Sequence, residues 1–352
     1  MSSDVYFLDL DFISFSPLYK YYRKLIQSSG LIDRLSKGDI VAIKLHMGEY
    51  GNTRYVRPQY IRVLVDMLLE HGCRPFLTDT TTLYRGSRYD ALSYLETAYF
   101  NGFVYSVVNA PVIIADGLKG KDEIIVNIDG EELREIPVAK LFKEIDFLVV
   151  VSHFKGHEMS GFGGAIKNLG MGCTSKRGKL IQHAISKPYV DQNRCIACWT
   201  CMNVCQYNAI IREEKARIDK NKCVGCGTCY IHCPAGAIEI EWYTGERFLK
   251  RIVEAAFAVT KVVPREKMFF INFLTEITSV CDCMANPGIP KTRDIGILAS
   301  NDPVAIDKAS YDMVLKKGIR LNADGRVDAL LQIRYAERMG LGTSQYKIIR
   351  VE

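Results

Sequence analysis

CIACWTCMNVC (Cys195–Cys205) and CVGCGTCYIHCP (Cys223–Pro234), separated by seventeen residues, place eight of the chain's twelve cysteines in two runs of identical C-x2-C-x2-C-x3-C spacing. Bacterial-type ferredoxins hold a pair of 4Fe-4S clusters with this spacing. Three cysteines two residues apart on a short loop can each turn a thiolate to a different iron of one cube. The fourth, three residues on, opens a helix that carries it to the other cube. The expected ligand sets are Cys195, Cys198, Cys201 and Cys233 for one cluster, and Cys223, Cys226, Cys229 and Cys205 for the second. The segment is also a tandem repeat, in which CQYNAI after the first run matches CPAGAI after the second, each leading into a strand-like stretch. A pair of zinc knuckles would use paired C-x2-C units and has no need of four evenly spaced thiols twice over. Gln206 stands where the second run has Pro234, which frees the backbone at that turn without removing a ligand.

This unit occupies residues 188–243, entered at Lys187-Pro188, where the residue before proline is pushed out of helix. A chain of 352 residues, 48% hydrophobic, can bury a far larger core than the cysteine-rich segment supplies. Residues 1–187 alternate strand and helix signals. DIVAIKLHM (Asp39–Met47) is a near-continuous apolar run, as a parallel strand covered on both faces shows. Further strands are expected at Val5–Leu10, Pro75–Thr78, Val112–Ala115, Ile124–Ile128 and Phe147–Ser152. Helices are expected at Pro17–Leu35, from Pro58 to His71, at Tyr89–Phe100 and from Gly164. Residues 244–352 resume the same style, with helices at Gly245–Thr260, Pro303–Lys317 and Val327–Met339 and strands at Lys267–Leu274, Asp294–Ala299 and Lys347–Val351. The expectation is one discontinuous α/β domain, a largely parallel sheet with helices on both faces, interrupted by a small α+β two-cluster ferredoxin-like insertion.

The formal charge of +6 is scattered rather than gathered into a basic stripe, which argues against nucleic-acid binding. No charged-then-apolar leader precedes Asp4 and no run approaches the ~20 apolar residues of a membrane span, so a cytoplasmic protein is expected. Many free thiols fit a reducing compartment and make structural disulfides a poor reading.

Four cysteines lie outside the insertion: Cys73, Cys173, Cys281 and Cys283. Cys281-Asp282-Cys283 follows a strand signal, at the edge where α/β proteins place ligands. Two thiols one residue apart can chelate a metal, with Cys173 and His183 as further candidate ligands of a third metal or iron-sulfur centre. The bland alternative, that buried cysteines are small apolar residues, is adopted for Cys73. The glycines of Gly156–Gly178, with Lys155, Lys167, Lys176, Arg177 and Lys179, suit an anionic substrate, or else only a close helix approach. No dinucleotide fingerprint or P-loop is present. Lys44 and His46 alternate on one strand, with Glu49 and Arg54 following; DTTT (Asp79–Thr82) and Tyr84 follow another. In a doubly wound sheet such ends converge on one crevice, so Lys44, His46, His153, His157 and Lys167 are the candidate catalytic residues.

KLHMGE, DTTTLYRGSR, SHFKGHEMSGFGGAIKNLGMGC, the CDC triplet and DIGILASNDPVAID together resemble a "domain of unknown function" family of iron-sulfur cluster-binding proteins, in the subgroup with an inserted two-cluster ferredoxin domain. The resemblance covers nearly the whole chain. It implies an α/β domain with a ferredoxin module, and a shared site drawn from Lys44, His46, His153, His157, Lys167, Cys173, His183, Cys281, Cys283 and Asp302. Two functions follow as expectations. In one, two 4Fe-4S clusters, fed by a redox partner protein, pass electrons to a small or anionic substrate, or to a third metal centre, in the α/β domain. In the other, the chain is a non-enzymatic electron carrier or a metal-centre maturation factor.

Overall fold

The apolar run after Asp39 forms a strand, Ile40–Leu45, whose successive side chains are buried on alternate faces. Alternate residues of a strand point to opposite sides, so a run apolar throughout needs cover on both. The computed structural model describes residues 2–12, 17–84, 86–183, 187–205, 207–223, 228–239, 245–321 and 327–352. In it the strand is β2 of an eight-stranded sheet whose members are β1 (Ser3–Asp9), β2, β3 (Arg74–Asp79), β4 (Val112–Ile114), β5 (Phe147–His153), β6 (Met268–Leu274), β7 (Gly296–Ser300) and β8 (Tyr346–Arg350). Their order is β8-β1-β7-β6-β5-β2-β3-β4. Strand β7 runs antiparallel to β1 and β6, and the other five pairings are parallel.

Val41, Ile43, Phe147, Val149 and Ile271 face one core, shared with α1 (Leu18–Ser28), α2 (Pro58–Glu70) and α3 (Ala91–Phe100). Ala42, Leu148, Val150 and Phe270 face the other. That side carries α4 (Ala165–Gly170), α5 (Lys176–His183), α6 (Glu246–Thr260), α7 (Pro303–Lys316) and α8 (Leu331–Arg338). Each fully buried Val, Leu, Ile or Phe contributes roughly 1.5–3 kcal/mol of transfer free energy, so the two cores dominate the stabilisation. Helices α4 and α6 pack with almost no gap: a Cβ on Gly170 would lie 2.2 Å from the Ile252 carbonyl oxygen.

The α/β expectation therefore holds, with local corrections. The helix expected over Pro17–Leu35 ends at Ser28, because the chain turns at Gly30 (φ +74°) into a 3-10 turn at Ile32–Arg34. The strand expected near Ile124 is present as Glu123–Asn127 but pairs with Glu135–Ala139 in a separate ribbon, and its alternating half-exposed side chains suit that one-sided cover. Lys155–His157 and Gly161–Gly163 form a small hairpin that the glycine-rich sequence did not announce.

Residues 189–239 make their own ribbons. Tyr189–Val190 pairs with Ile238–Glu239, and Ile210–Arg212 with Ala216–Ile218. Helical turns at Thr200–Asn203 and Thr228–His232 flank a separate small core of Ile210, Ala216, Ile218 and Ile238. None of the described strands of this segment joins the large sheet. The segment meets the host where Tyr230 and Leu83 both pack against Leu180 of α5. Among the described residues no helix is long and apolar enough to cross a membrane.

Candidate functional site

The parallel strands β2, β3 and β5 end side by side, and their carboxyl ends open into a cavity of about 270 Å³. Such ends are where open α/β sheets bind ligands. Lys44, His46, His153, His157, Lys167, His183, Cys281 and Cys283 all line this cavity.

Lys44 is buried in its floor, 2.9 Å from Asp79 Oδ1, and donates to Asn168 Oδ1 at 2.5 Å. Burial alone would raise the Asp79 carboxyl, but Lys44, His46 and the Tyr94 hydroxyl hold it below the usual range. The pair is thus a fixed dipole, stabilised by mutual neutralisation that neither partner retains alone.

His46 accepts the Gly48 N–H at Nδ1 (3.0 Å), and its Nε2 sits 2.7 Å from Arg88 Nη1 and 3.9 Å from Cys283 Sγ. Burial, then the Arg88 charge, lower its pKa, so the ring is neutral at pH 7. Arg88 is itself buried and reaches Glu49 Oε2 at 3.1 Å, while the Tyr84 hydroxyl donates to the same carboxylate oxygen at 2.8 Å.

The Cys281–Cys283 loop is pinned from both sides. Asn52 Nδ2 donates to the carbonyls of Asp282 (3.1 Å) and Met284 (3.0 Å). The buried Asp282 carboxylate pairs with His153 Nδ1 and with Lys155 Nζ, both at 2.8 Å. His153 Nε2 donates to the Thr275 carbonyl at 2.8 Å, so both ring nitrogens are occupied. The two thiols lie 2.6 Å apart. A hydrogen bond with Cys283 and then burial raise the Cys281 thiol. The hydrogen bond from Cys281, assisted by His46 and Arg88, lowers Cys283.

Lys167 projects from α4 into the cavity, and among the described residues no carboxylate pairs with it. Burial and then this charge push His157 well below its usual range and His183 down to about 3. Both rings are thus neutral. His157 Nδ1 accepts the N–H groups of Met159 (3.2 Å) and Ser160 (3.3 Å), and His183 stacks at 4.7 Å on Phe248. Lys179, lowered to about 8 by burial, donates to Thr80 Oγ1 at 2.5 Å and to the Thr174 carbonyl at 2.6 Å.

Other expected site residues stand elsewhere. Cys173 does not line the cavity; it is buried in the core, its thiol pushed up to about 12 by burial. Asp302 caps α7, accepting the N–H groups of Val304 (2.9 Å) and Ala305 (3.0 Å), which is a structural task. Lys176 lies 3.3 Å over the Tyr89 ring, Arg177 pairs with Glu123 at 2.8 Å, and Arg54 with Glu276 at 2.6 Å. Among the described residues no group of three or more His, Cys, Asp or Glu side chains is placed to hold a single metal ion, so Cys173, Cys281, Cys283 and His183 are not assembled as one set.

Sequence reasoning missed Arg88, Asn168 and the anchoring role of Asp282. Arg88 lies within DTTTLYRGSR, but its burial shows only through Glu49, 39 residues away.

In the cysteine-rich segment, Cys195, Cys198, Cys201 and Cys233 line one small cavity with Trp199 and Ile238. Burial and the nearness of Cys198, Cys233 and Cys195 raise the Cys201 thiol. Cys205 Sγ accepts the Ala209 N–H at 3.3 Å and Cys233 Sγ the Ala237 N–H at 3.2 Å, the same four-residue offset in both halves of the repeat. Ala197 (φ +52°) and Trp199 (φ +62°) are left-handed, and the second run carries glycine at the matching sequence positions. Cys226 lies outside the described residues.

Solved structures that resemble the chain include two from thermophilic bacteria. One is a lactate racemase apoprotein from Thermoanaerobacterium thermosaccharolyticum, 13% identical over 76% of this chain and 50% of that one, with a TM-score of 0.38. The other is a Thermotoga maritima protein, 11% identical over 90% of this chain and 60% of that one, with a TM-score of 0.43. The chain thus spans half to three fifths of their lengths. No curated protein matches it. The family described as "Domain of unknown function (DUF362)" matches residues 41–312, most of the length, and the chain belongs to that family.

Proposed function

We propose that this protein is an iron-sulfur oxidoreductase of the subgroup with an inserted two-cluster ferredoxin unit, which reduces a small anionic compound in the α/β cavity. The observation that carries the reading is the gathering of Cys195, Cys198, Cys201 and Cys233 around one cavity, the same four that the spacing assigns to one cluster. These residues suit a 4Fe-4S group: four thiols line one small cavity, and backbone N–H groups point at the sulfurs of Cys205 and Cys233. Cys223, Cys226, Cys229 and Cys205 would hold the second. When bound, such clusters supply single low-potential electrons.

Everything else falls to the side chains. Cys198 and Ile196 are exposed, which suits docking of a redox partner at that end. Tyr230, next to Cys229, shares the Leu180 contact with Leu83, and Leu83 lines the cavity, so the second cysteine set is the one nearer the substrate. Lys167 attracts the anion. Lys179, at about 8, can give up a proton near neutral pH. A simple electron carrier has no use for a cavity of about 270 Å³ lined by Lys44, Lys167 and Lys179.

The test is elemental analysis of the anaerobically purified chain, where about eight iron and eight sulfide per chain are expected. A colourless protein carrying zinc overturns the proposal.

A further inference from the structure

We infer that Cys281 and Cys283 are a redox dithiol that cycles between a thiol-thiolate pair and an intramolecular disulfide, with a small anionic disulfide as the substrate of the cavity. For its supply of electrons the inference rests on the iron-sulfur function proposed above. The dithiol itself stands on the geometry of the α/β cavity.

The two sulfurs lie 2.6 Å apart, within reach of one another. The loop that carries them cannot drift, since Asn52 holds the carbonyls on either side and Asp282 is locked between His153 and Lys155. That lock also ties the one carboxylate between the two thiols to His153 and Lys155 rather than to the sulfurs. The sulfurs instead meet His46, with Nε2 3.9 Å from Cys283. Both thiols line the cavity, but Cys281 is buried and Cys283 half-buried, which makes Cys283 the attacking sulfur and Cys281 the resolving one.

The chemistry balances. The Cys283 thiolate attacks one sulfur of R–S–S–R, the substrate S–S bond breaks, and one R–S⁻ leaves with the proton of Cys281. The Cys281 thiolate then attacks Cys283 Sγ, forming the intramolecular disulfide and releasing the second R–S⁻. The substrate has gained two electrons and the dithiol has lost two. Two single electrons from the redox partner, by way of the insertion, and one proton restore the thiol and thiolate. Lys167, which lines the same cavity near Cys281, suits a substrate that carries carboxylates.

The experiment uses the anaerobic holoprotein, with oxidised glutathione as probe and hydroxyethyl disulfide as uncharged comparator. Tryptic peptide Met268–Lys291 contains Cys281 and Cys283 and no other cysteine. Its mass is expected to fall by two hydrogens after exposure to the probe and to return on reduction, with the charged probe reacting at least tenfold faster than the comparator. Cys281→Ser is expected to accumulate one glutathionyl adduct on Cys283, and Cys283→Ser to accumulate none on Cys281. A wild-type peptide that stays reduced under excess probe, or an adduct on Cys281 formed as fast as on Cys283, overturns the inference. Iron and sulfide counted on the same sample separate the two proposals: an iron-free protein whose dithiol still cycles refutes the electron supply alone, and a fully loaded protein with an inert pair refutes the dithiol alone.

Discussion

Cys283 is where single-residue chemistry is most sharply defined. Its thiol is lowered by the hydrogen bond from Cys281, then by His46 and Arg88, while Tyr84 and Asp282 face the same region and Lys155 and Lys167 stand near Cys281. Because the thiolate is the nucleophile, alkylation of Cys283 by iodoacetamide is expected to rise at lower pH than that of an ordinary thiol, whereas Cys173, at about 12, stays unmodified. Cys281→Ala removes the leading cause, and the rise of the alkylation rate is expected to move to higher pH. A rate that instead climbs only near pH 9 in the intact protein would contradict the assignment. The paired cysteines, Lys44 and His46 were legible because chemistry-bearing residues sat at the ends of apolar runs. Arg88 was not, since a buried charge is identified only by a partner that folding brings to it, here Glu49.

Between elements, α4 depends on two features of its neighbours. Gly170 lets it rest against α6, and Gly170→Ala is expected to cost about 1–3 kcal/mol in chemical denaturation, because the Ile252 carbonyl leaves no room for a methyl group. At the other end, Asp307 of α7 accepts the N–H groups of Ala165 (2.7 Å) and Ile166 (2.9 Å). Burial pushes this carboxyl up from 3.8 to about 6. Between those values the folded chain holds a proton that the unfolded chain has released, so this group makes stability fall as pH rises from about 4 to 6. Asp307→Asn removes that contribution, and the stability difference between wild type and variant is expected to change by about 3 kcal/mol across the window. A difference that is flat with pH would rule the linkage out. Strand and helix positions were largely readable from apolar periodicity. The ribbon of Glu123–Asn127 with Glu135–Ala139 was misplaced because a short apolar run does not say which sheet it joins.

At the scale of the whole molecule, the sheet delivers three strand ends to one cavity, and the cysteine-rich segment docks beside it through Tyr230 and Leu180. The repeat spacing made the segment legible as a unit, because ligand geometry constrains sequence there more tightly than packing does elsewhere. Its contact with the host was not legible, since Tyr230 carries no signal distinguishing a buried interface from a small local core. In the function proposed above, this arrangement brings an electron-carrying insertion next to a substrate cavity, and the central claim is that the eight cysteines hold two clusters. The most direct measurement is electron paramagnetic resonance of the anaerobic chain reduced with dithionite, with spins counted against protein. About two unpaired spins per chain, with the broadened lines of neighbouring reduced clusters, are expected; a spin-silent protein with stoichiometric zinc would contradict the account.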